Sequence, residues 1–396
     1  MNSNADLNAP LTLPCGLTLK NRIVKSAMSD SLGNGAGDPT AAQINLYHRW
    51  ALGGAALALI GEAQVTPDHP EKPGNLVLHS SADVEQLKAL ADAGSQKGAH
   101  IWPQLGHGGA LSHAPISSPK GPSPLDLPGL TCGGMTLAEI DALPDAYAYA
   151  AQLAQRVGFS GVQIHAGHGF LLSQFLSPLF NHRTDQYGGS VANRFRVIAA
   201  IIAAVRVATG PSFAIGIKIN ATDMLEGGLM EAEALAVVQL LNSTSVDLID
   251  ISGGTYFPGA PASSESSAKG GPYFRDFARE AKCITDIPMT LTGGIKTRAQ
   301  AVAVLTSGAA DAVGLARALV MDPELPNAWI GGEDRAVTFP KFENPPKGSV
   351  TAWYTMRLTA LGEGTEANFD HSADTALCAY NQRDRERCQT WVQRFD

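Results

Sequence analysis

The stretch DAYAYAAQLAQRVGFSGVQIHAGHGF (145–170) decides the fold. Its first half is rich in Ala and Leu and has helix-forming composition. At Gly161 it changes to a short apolar run, GVQIHA (161–166), which reads as a strand. The same alternation continues along roughly the first three hundred residues. Strands are expected at NRIVKSA (21–27), AALALIGE (55–62), HIWPQL (100–105), GVQIHA (161–166), FAIGIKIN (213–220), VDLIDIS (246–252), IPMTLTG (287–293) and DAVGLAR (311–317). Helical stretches such as RFRVIAAIIAAVRVATG (194–210) lie between them. Strands that are almost wholly apolar suit a parallel sheet covered on both faces. Eight of them with helical crossovers predict an α/β fold, a closed (β/α)8 TIM barrel. The turn after the first strand lacks the GxGxxG of an open dinucleotide-binding sheet.

Outward from this frame, LTLPCGLTLKN (11–21) reads as an N-terminal hairpin around Cys15–Gly16 that caps the far end of the barrel. Residues 106–135 and 254–272 read as long βα loops leaving C-terminal strand ends, where barrel active sites sit. WYTMRLTALGEG (353–364) looks helical and the last segment is charged. Residues 1–396 are therefore expected to form a single barrel domain, with a tail from about residue 330 packed on it.

Composition excludes several classes. With 44% hydrophobic and 17% charged residues the chain has ample material for a core, which rules out general disorder. A net charge of −8 and the lack of a basic stretch argue against nucleic acid as a partner. Five scattered cysteines without CxxC suggest neither zinc nor an iron–sulfur centre and fit a reduced, cytoplasmic protein. The N-terminus has no basic and apolar signal regions, and the longest apolar run (53–61) falls short of the roughly 20 residues of a membrane helix. No membrane partner is expected.

Three groups of residues carry chemistry. In the fourth strand Gln163 and His165 alternate with Val162 and Ile164, so one pair faces the helices and the other the interior. His168 follows in the loop. Two imidazoles there can donate to a carbonyl oxygen and polarise it; the alternatives are a metal pair or unrelated histidines. A metal needs a carboxylate or a third histidine, and the sequence to Phe180 has none. Lys218 and Asn220 share a face of the fifth strand. The lysine suits a cofactor that gains negative charge, a Schiff base, or a satisfied polar layer. TGG (292–294) and GLAR (314–317) end the last two strands, where barrels commonly bind phosphate, with Arg317 as a charged fork.

The run GVQIHAGHGFLLSQFLSPLFNHRTDQYGGSVANRFR (161–196) closely resembles the signature of the Old Yellow Enzyme family of FMN-dependent NADH:flavin oxidoreductases. LKNRIVKSAM (19–28), WPQLGHGG (102–109), IGIKIN (215–220), DISGGTY (250–256), TGGIKTR (292–298) and VGLAR (313–317) extend the likeness over most of the chain. The resemblance implies noncovalent FMN across the barrel mouth and NAD(P)H as a transient donor. It implies a ping-pong cycle that reduces the activated C=C bond of an α,β-unsaturated carbonyl compound. By position, Ala27, Met28 and Ser29 lie along the flavin, and Ala63 and Gln104 contact its pyrimidine side. Lys218 sits near N1 and O2; Gly293, Gly294, Ala316 and Arg317 hold the phosphate. His165 and His168, the catalytic pair, bind the substrate carbonyl, with Phe170 and Tyr256 lining an aromatic substrate pocket. Family members form dimers or tetramers, so a homo-oligomer is compatible with the likeness.

Several positions depart from the family pattern. Phe170 stands where a tyrosine usually delivers a proton, which leaves Tyr187 and Tyr256 as the nearest hydroxyls by segment. Ser29 replaces a cysteine or threonine, Ala110 an arginine, and Ala316 a glycine. Pro103 lies inside the third strand, where it removes a ladder donor. Phe257, Glu265, Lys269 and Arg275 are expected near the pocket or its rim. The loss at position 170 keeps a second reading open, a flavin-dependent dehydrogenase or demethylase that oxidises its substrate. A flavin-free barrel lyase using Lys218 is a third.

Overall fold

The computed structural model describes residues 6–260 and 271–396. Eight parallel strands form the barrel wall: β1 (Ile23–Lys25), β2 (Leu57–Gln64), β3 (His100–Gly106), β4 (Gly161–Ala166), β5 (Ala214–Asn220), β6 (Leu248–Ser252), β7 (Met289–Thr292) and β8 (Ala312–Leu315). Each pairs with the next, and β8 returns to β1 through Val313↔Ile23 and Leu315↔Lys25, which closes the ring. All eight strands lie where the sequence reading puts them, with ends that differ by two residues or fewer.

Helices α1 (Ala41–Leu52), α2 (Val84–Gly94), α3 (Leu143–Arg156), α4 (Val191–Thr209), α5 (Glu231–Leu241), α6 (Arg275–Lys282) and α7 (Arg298–Thr306) form the crossovers. Local chemistry sets their faces and limits. Tyr147, Ala150, Ala151 and Ala154 put one buried stripe on α3. Ser190 caps α4 by accepting from the Asn193 N–H, and Gly210 ends it at φ 78°. Thr297 and Gln300 form a reciprocal capping box at the start of α7, just beyond the loop that carries Gly293 and Gly294. Replacing Thr297 by alanine is therefore expected to cost about 1 kcal/mol. Denaturant unfolding should show this as a lower midpoint with an unchanged slope.

The barrel interior has two layers, and strand alternation produces both. Val24, Trp102 and Leu248 join the hairpin residues Leu11, Leu13 and Leu19 in an apolar plug at the N-terminal end. Two residues further along the same strands, and so on the same face, stand Ser26, Gln104 and Asp250. These belong to a polar layer with Gln163, Lys218 and Thr292. The hairpin strands Leu11–Thr12 and Thr18–Leu19 pair antiparallel and cap the end opposite the mouth, as expected. Outside the wall, Val162 and Ile164 pack with the helices.

Pro103 sits opposite Ile60, and the next pair is Ala63↔Leu105. Gly61 and Glu62 thus oppose Gln104 alone, a bulge on β2. The residue without an N–H falls where the ladder is already broken.

Residues 106–135 differ from the plain loop expected. They contain short strands Lys120–Gly121, Leu125–Leu127 and Leu130–Gly134, the last two a hairpin with Leu125 opposite Cys132. The alternation in LDLPGLTC explains it: Leu125 and Cys132 point together into a small cluster with Phe180 and Phe257.

After β8 come α8 (Arg317–Met321), α9 (Leu325–Ile330), α10 (Ser349–Glu363) and α11 (Ala373–Phe395). The α10 helix packs between α1 and α11. The α11 helix reaches the mouth, where Arg387 Nη1 donates to Ser31 O at 2.5 Å. Among the described residues no helix is long and apolar enough to cross a membrane.

Candidate active site at the barrel mouth

His165 ends β4 with 2% of its surface exposed, and His168 follows in the βα loop. Their rings stand 5.2 Å apart at 87°. His168 has φ 59°, a left-handed conformation that costs a non-glycine residue roughly 1–2 kcal/mol. Neighbouring strands hold it there. Its N–H donates to Asn220 Oδ1 (3.0 Å), its C=O accepts from the Tyr256 N–H (3.1 Å), and its Nε2 lies 2.9 Å from Ser252 Oγ. Asn220 is itself fixed by donating to Asp223 Oδ1 and Gly254 O, both at 2.9 Å. Strain concentrated at a cleft residue is a mark of a functional position.

Burial pushes both imidazoles down, with the Lys218 charge in support, and His168 falls to about 3. Both rings are therefore neutral near pH 7 and offer an N–H without a formal charge.

Phe170 packs 5.1 Å from His165, and Tyr256 stands 5.8 Å from Phe170 and 5.9 Å from His168. Tyr256 leaves 66% of its surface open to the mouth. The surrounding walls, with Glu71 and Glu62 next, push its hydroxyl up to about 12. Tyr187 is elsewhere: its hydroxyl donates to Asp141 Oδ1 at 2.5 Å. Phe257 does not face the pocket either, since it stacks on Phe180 at 3.7 Å and is buried. Arg275 is exposed on α6 beside Asp276. Glu265 and Lys269 lie outside the described residues.

Below the histidines the polar layer is tightly bonded. Lys218 Nζ stands 3.0 Å from Asp250 Oδ2, each side chain 1% exposed. Asp250 also accepts from Thr292 Oγ1 (2.7 Å) and Gln163 Nε2 (3.3 Å), and Gln104 Nε2 donates to Gln163 Oε1 at 2.6 Å. This pairing weighs against the lyase reading, since Lys218 is held against Asp250 and not presented to the mouth as an unpaired amine.

Ala27, Met28 and Ser29 are half-exposed beyond β1, and Ala63 is buried at the end of β2. At the ends of β7 and β8 lie the glycine and arginine segments. Gly293 and Gly294 have φ 117° and 77°, and a Cβ on Gly294 would meet Gly271 O at 2.0 Å. That position needs glycine. Ala316 has φ −103° and ψ −93°, outside the left-handed region that would require glycine. The Arg317 guanidinium lies 5.6 Å over the Tyr354 ring of α10.

Sequence reasoning missed the acidic wall of this mouth. Glu62 and Glu71 both have proton affinities raised by burial, and Glu71 adds to the effect on Glu62, which is pushed up to about 8. Glu62 Oε1, 3.5 Å from His165 Nε2, and Gln64 Oε1 have no hydrogen-bond partner. The polar pair Glu62 and Gln64 at the end of an apolar strand was a usable signal. Glu71, in the loop PDHPEKPG (67–74), carried none.

A mouth with a bonded polar floor, neutral N–H donors on one wall and a glycine–arginine end suits a barrel enzyme that takes a planar, phosphate-bearing cofactor. Comparison with known proteins narrows this class. Residues 6–330 match the model of the NADH:flavin oxidoreductase / NADH oxidase family. The chain is 34% identical over 380 residues to the NADH-dependent flavin oxidoreductase iliE of Hypocrea jecorina, covering 86% of this chain and 94% of that one. It is 33% identical over 333 residues to NADPH dehydrogenase of Geobacillus thermodenitrificans (82% and 94% covered). Among solved structures, morphinone reductase superposes with a TM-score of 0.73 at 25% identity over 85% of this chain and 92% of its own. Some larger relatives are spanned only to about half their length. The chain belongs to the NADH:flavin oxidoreductase / NADH oxidase family, the Old Yellow Enzyme group. It is an FMN-dependent oxidoreductase that takes its electrons from NAD(P)H.

The residues present fit FMN. The buried oxygens of Glu62 and Gln64 that lack partners and the amide and ammonium groups of Gln104 and Lys218 suit the polar edge of a flavin. The side-chain-free, positive-φ backbone of Gly293 and Gly294 and the Arg317 fork suit its phosphate.

Proposed function

We propose that this protein is an ene-reductase acting on the activated C=C bond of α,β-unsaturated carbonyl compounds. The observation that carries the reading is the neutral His165–His168 pair, His168 held in a left-handed conformation, beside the aromatic rings of Phe170 and Tyr256. When bound, FMN would supply the two-electron chemistry that links oxidation of NAD(P)H to reduction of the alkene at its β-carbon. Everything else falls to the chain.

His165 and His168 hold the substrate carbonyl through N–H donors that stay in place while negative charge grows on its oxygen. Ala27, Met28 and Ser29 line the ring of the cofactor, Ala63 and Gln104 its pyrimidine side. Lys218 would put its ammonium group near N1 and O2 of the ring, and Gly293, Gly294, Ala316 and Arg317 would hold the phosphate. Phe170 offers no proton, so Tyr256 is the hydroxyl on hand to protonate the α-carbon. Its hydroxyl carries its proton across neutral pH and can give it up. Five free cysteines support a reducing, cytoplasmic setting.

Turnover of cyclohexenone with unlabelled NADH in D2O tests the assignment. The product should carry one deuterium, on the α-carbon. Tyr256→Phe should slow product formation without moving the label, and by less than loss of His168, because water reaches this open wall. Label at the β-carbon contradicts the proposal. Phe170 favours a second reading, oxidation of a substrate by the flavin, since that direction needs no proton donor. A protein that reduces no enone yet bleaches its flavin with an amine or alcohol supports it.

A further inference from the structure

Ser29 stands half-exposed at the mouth, and its hydroxyl donates to Glu71 Oε2 at 2.9 Å. Asn75 Nδ2 donates to the same oxygen at 3.3 Å. Asn75 Oδ1 accepts from Gln64 Nε2 (3.2 Å), which also donates to Glu62 Oε2 (2.8 Å). Glu62 Oε1 reaches to 3.5 Å from His165 Nε2. One hydrogen-bonded chain therefore runs from the serine to Glu62, with two carboxyl groups in it, and ends 3.5 Å from the His165 ring.

A serine hydroxyl has a single proton to donate. Beside an ionised carboxylate, which only accepts, that proton is committed to Glu71 and Ser29 shows only lone pairs to the mouth. Beside a neutral carboxyl, which donates to Ser29, the proton is free to point at a ligand.

We propose that Glu71, acting through Ser29, sets how the reduction potential of the bound flavin depends on pH. The inference rests on the reading that Ala27–Ser29 lie along FMN. Glu71 is a positioning residue; Ser29 is the group that touches the cofactor. Burial raises the proton affinity of Glu71 and Lys72 on its own loop opposes this. Glu62 from β2, Tyr256 from the loop after β6, and Tyr380 and Asp384 from α11 face the same space. Electron density on the polar edge of the ring rises on reduction, so a donor there favours the reduced form. When Glu71 is neutral the donor is present and the potential is high. As pH rises through its pKa the donor is withdrawn, and the potential falls more steeply than the ring's own proton uptake requires.

The test is a dye-equilibrated redox titration of the FMN-loaded protein across the pH range in which it stays folded, in wild type, Glu71→Gln, Ser29→Ala and Glu62→Gln. Glutamine keeps one charge state at every pH, so Glu71→Gln should hold one potential limit and lose the extra slope. Ser29→Ala should stay at the low limit. The two limits should differ by about tenfold in the oxidised-to-reduced ratio, ~30 mV for a two-electron couple. A wild-type slope that survives in Glu71→Gln, or that disappears in Glu62→Gln alone, overturns the proposal. Failure of the chain to take up FMN would instead overturn the cofactor assignment beneath it.

Discussion

His168→Ala is expected to slow reoxidation of the reduced enzyme by cyclohexenone about 10²–10³-fold, the usual cost of losing one preorganised donor to a developing oxyanion. FMN content should not change, since His168 contacts the polypeptide and the proposed substrate site. The backbone complicates alanine here, because φ 59° disfavours any residue with a Cβ. His168→Asn separates the two effects. Asparagine tolerates the left-handed region and keeps an N–H donor, so it should recover most of the lost rate. Stopped-flow absorbance in the oxidative half-reaction gives all three rates. Equal losses in both variants would point to shape instead of hydrogen bonding.

The second large effect is on stability. Lys218→Met removes one member of an ion pair in which each side chain is 1% exposed, and leaves Asp250 without its cation. Breaking such a pair from one side costs about 3–5 kcal/mol, because an uncompensated charge stays buried. Adding Asp250→Asn removes that charge while keeping an acceptor for Thr292. The double variant should regain most of the stability lost. It should not regain the positive charge near N1 and O2 of the ring, so its flavin should be harder to reduce than wild type. Urea unfolding and a redox titration on the same samples test the two halves separately. A double variant as unstable as Lys218→Met would show that the lysine packs rather than pairs.

The barrel was legible because its strands follow one rule. Apolar runs of fixed type alternate with helical composition, and on several strands the residue two places beyond an interior apolar side chain is polar. Trp102 with Gln104 and Leu248 with Asp250 display this in the sequence itself. His165 and Lys218 were found by the same alternation and His168 by its place in the loop that follows, and the structure brings the three together. The hairpin at 125–134 was masked by glycine and proline, although its alternation was there to be read. The α11 helix was hidden for a different reason: it is highly charged, and only Ala376, Asp384 and Trp391 are buried on it. Glu71 comes to Ser29 through a loop 42 residues later, and no local pattern reports such a contact. The choice between Tyr187 and Tyr256 also needed coordinates, since both lie in recognisable segments and only one faces the histidines.

The most direct test of the central claim is anaerobic. The purified, FMN-loaded protein is reduced with NADH or NADPH, cyclohexenone is added, and the flavin absorbance is followed. The account predicts bleaching by the nicotinamide, then rapid return of the oxidised spectrum as cyclohexanone forms. A flavin that NAD(P)H reduces but that stays reduced across a panel of enones would contradict it.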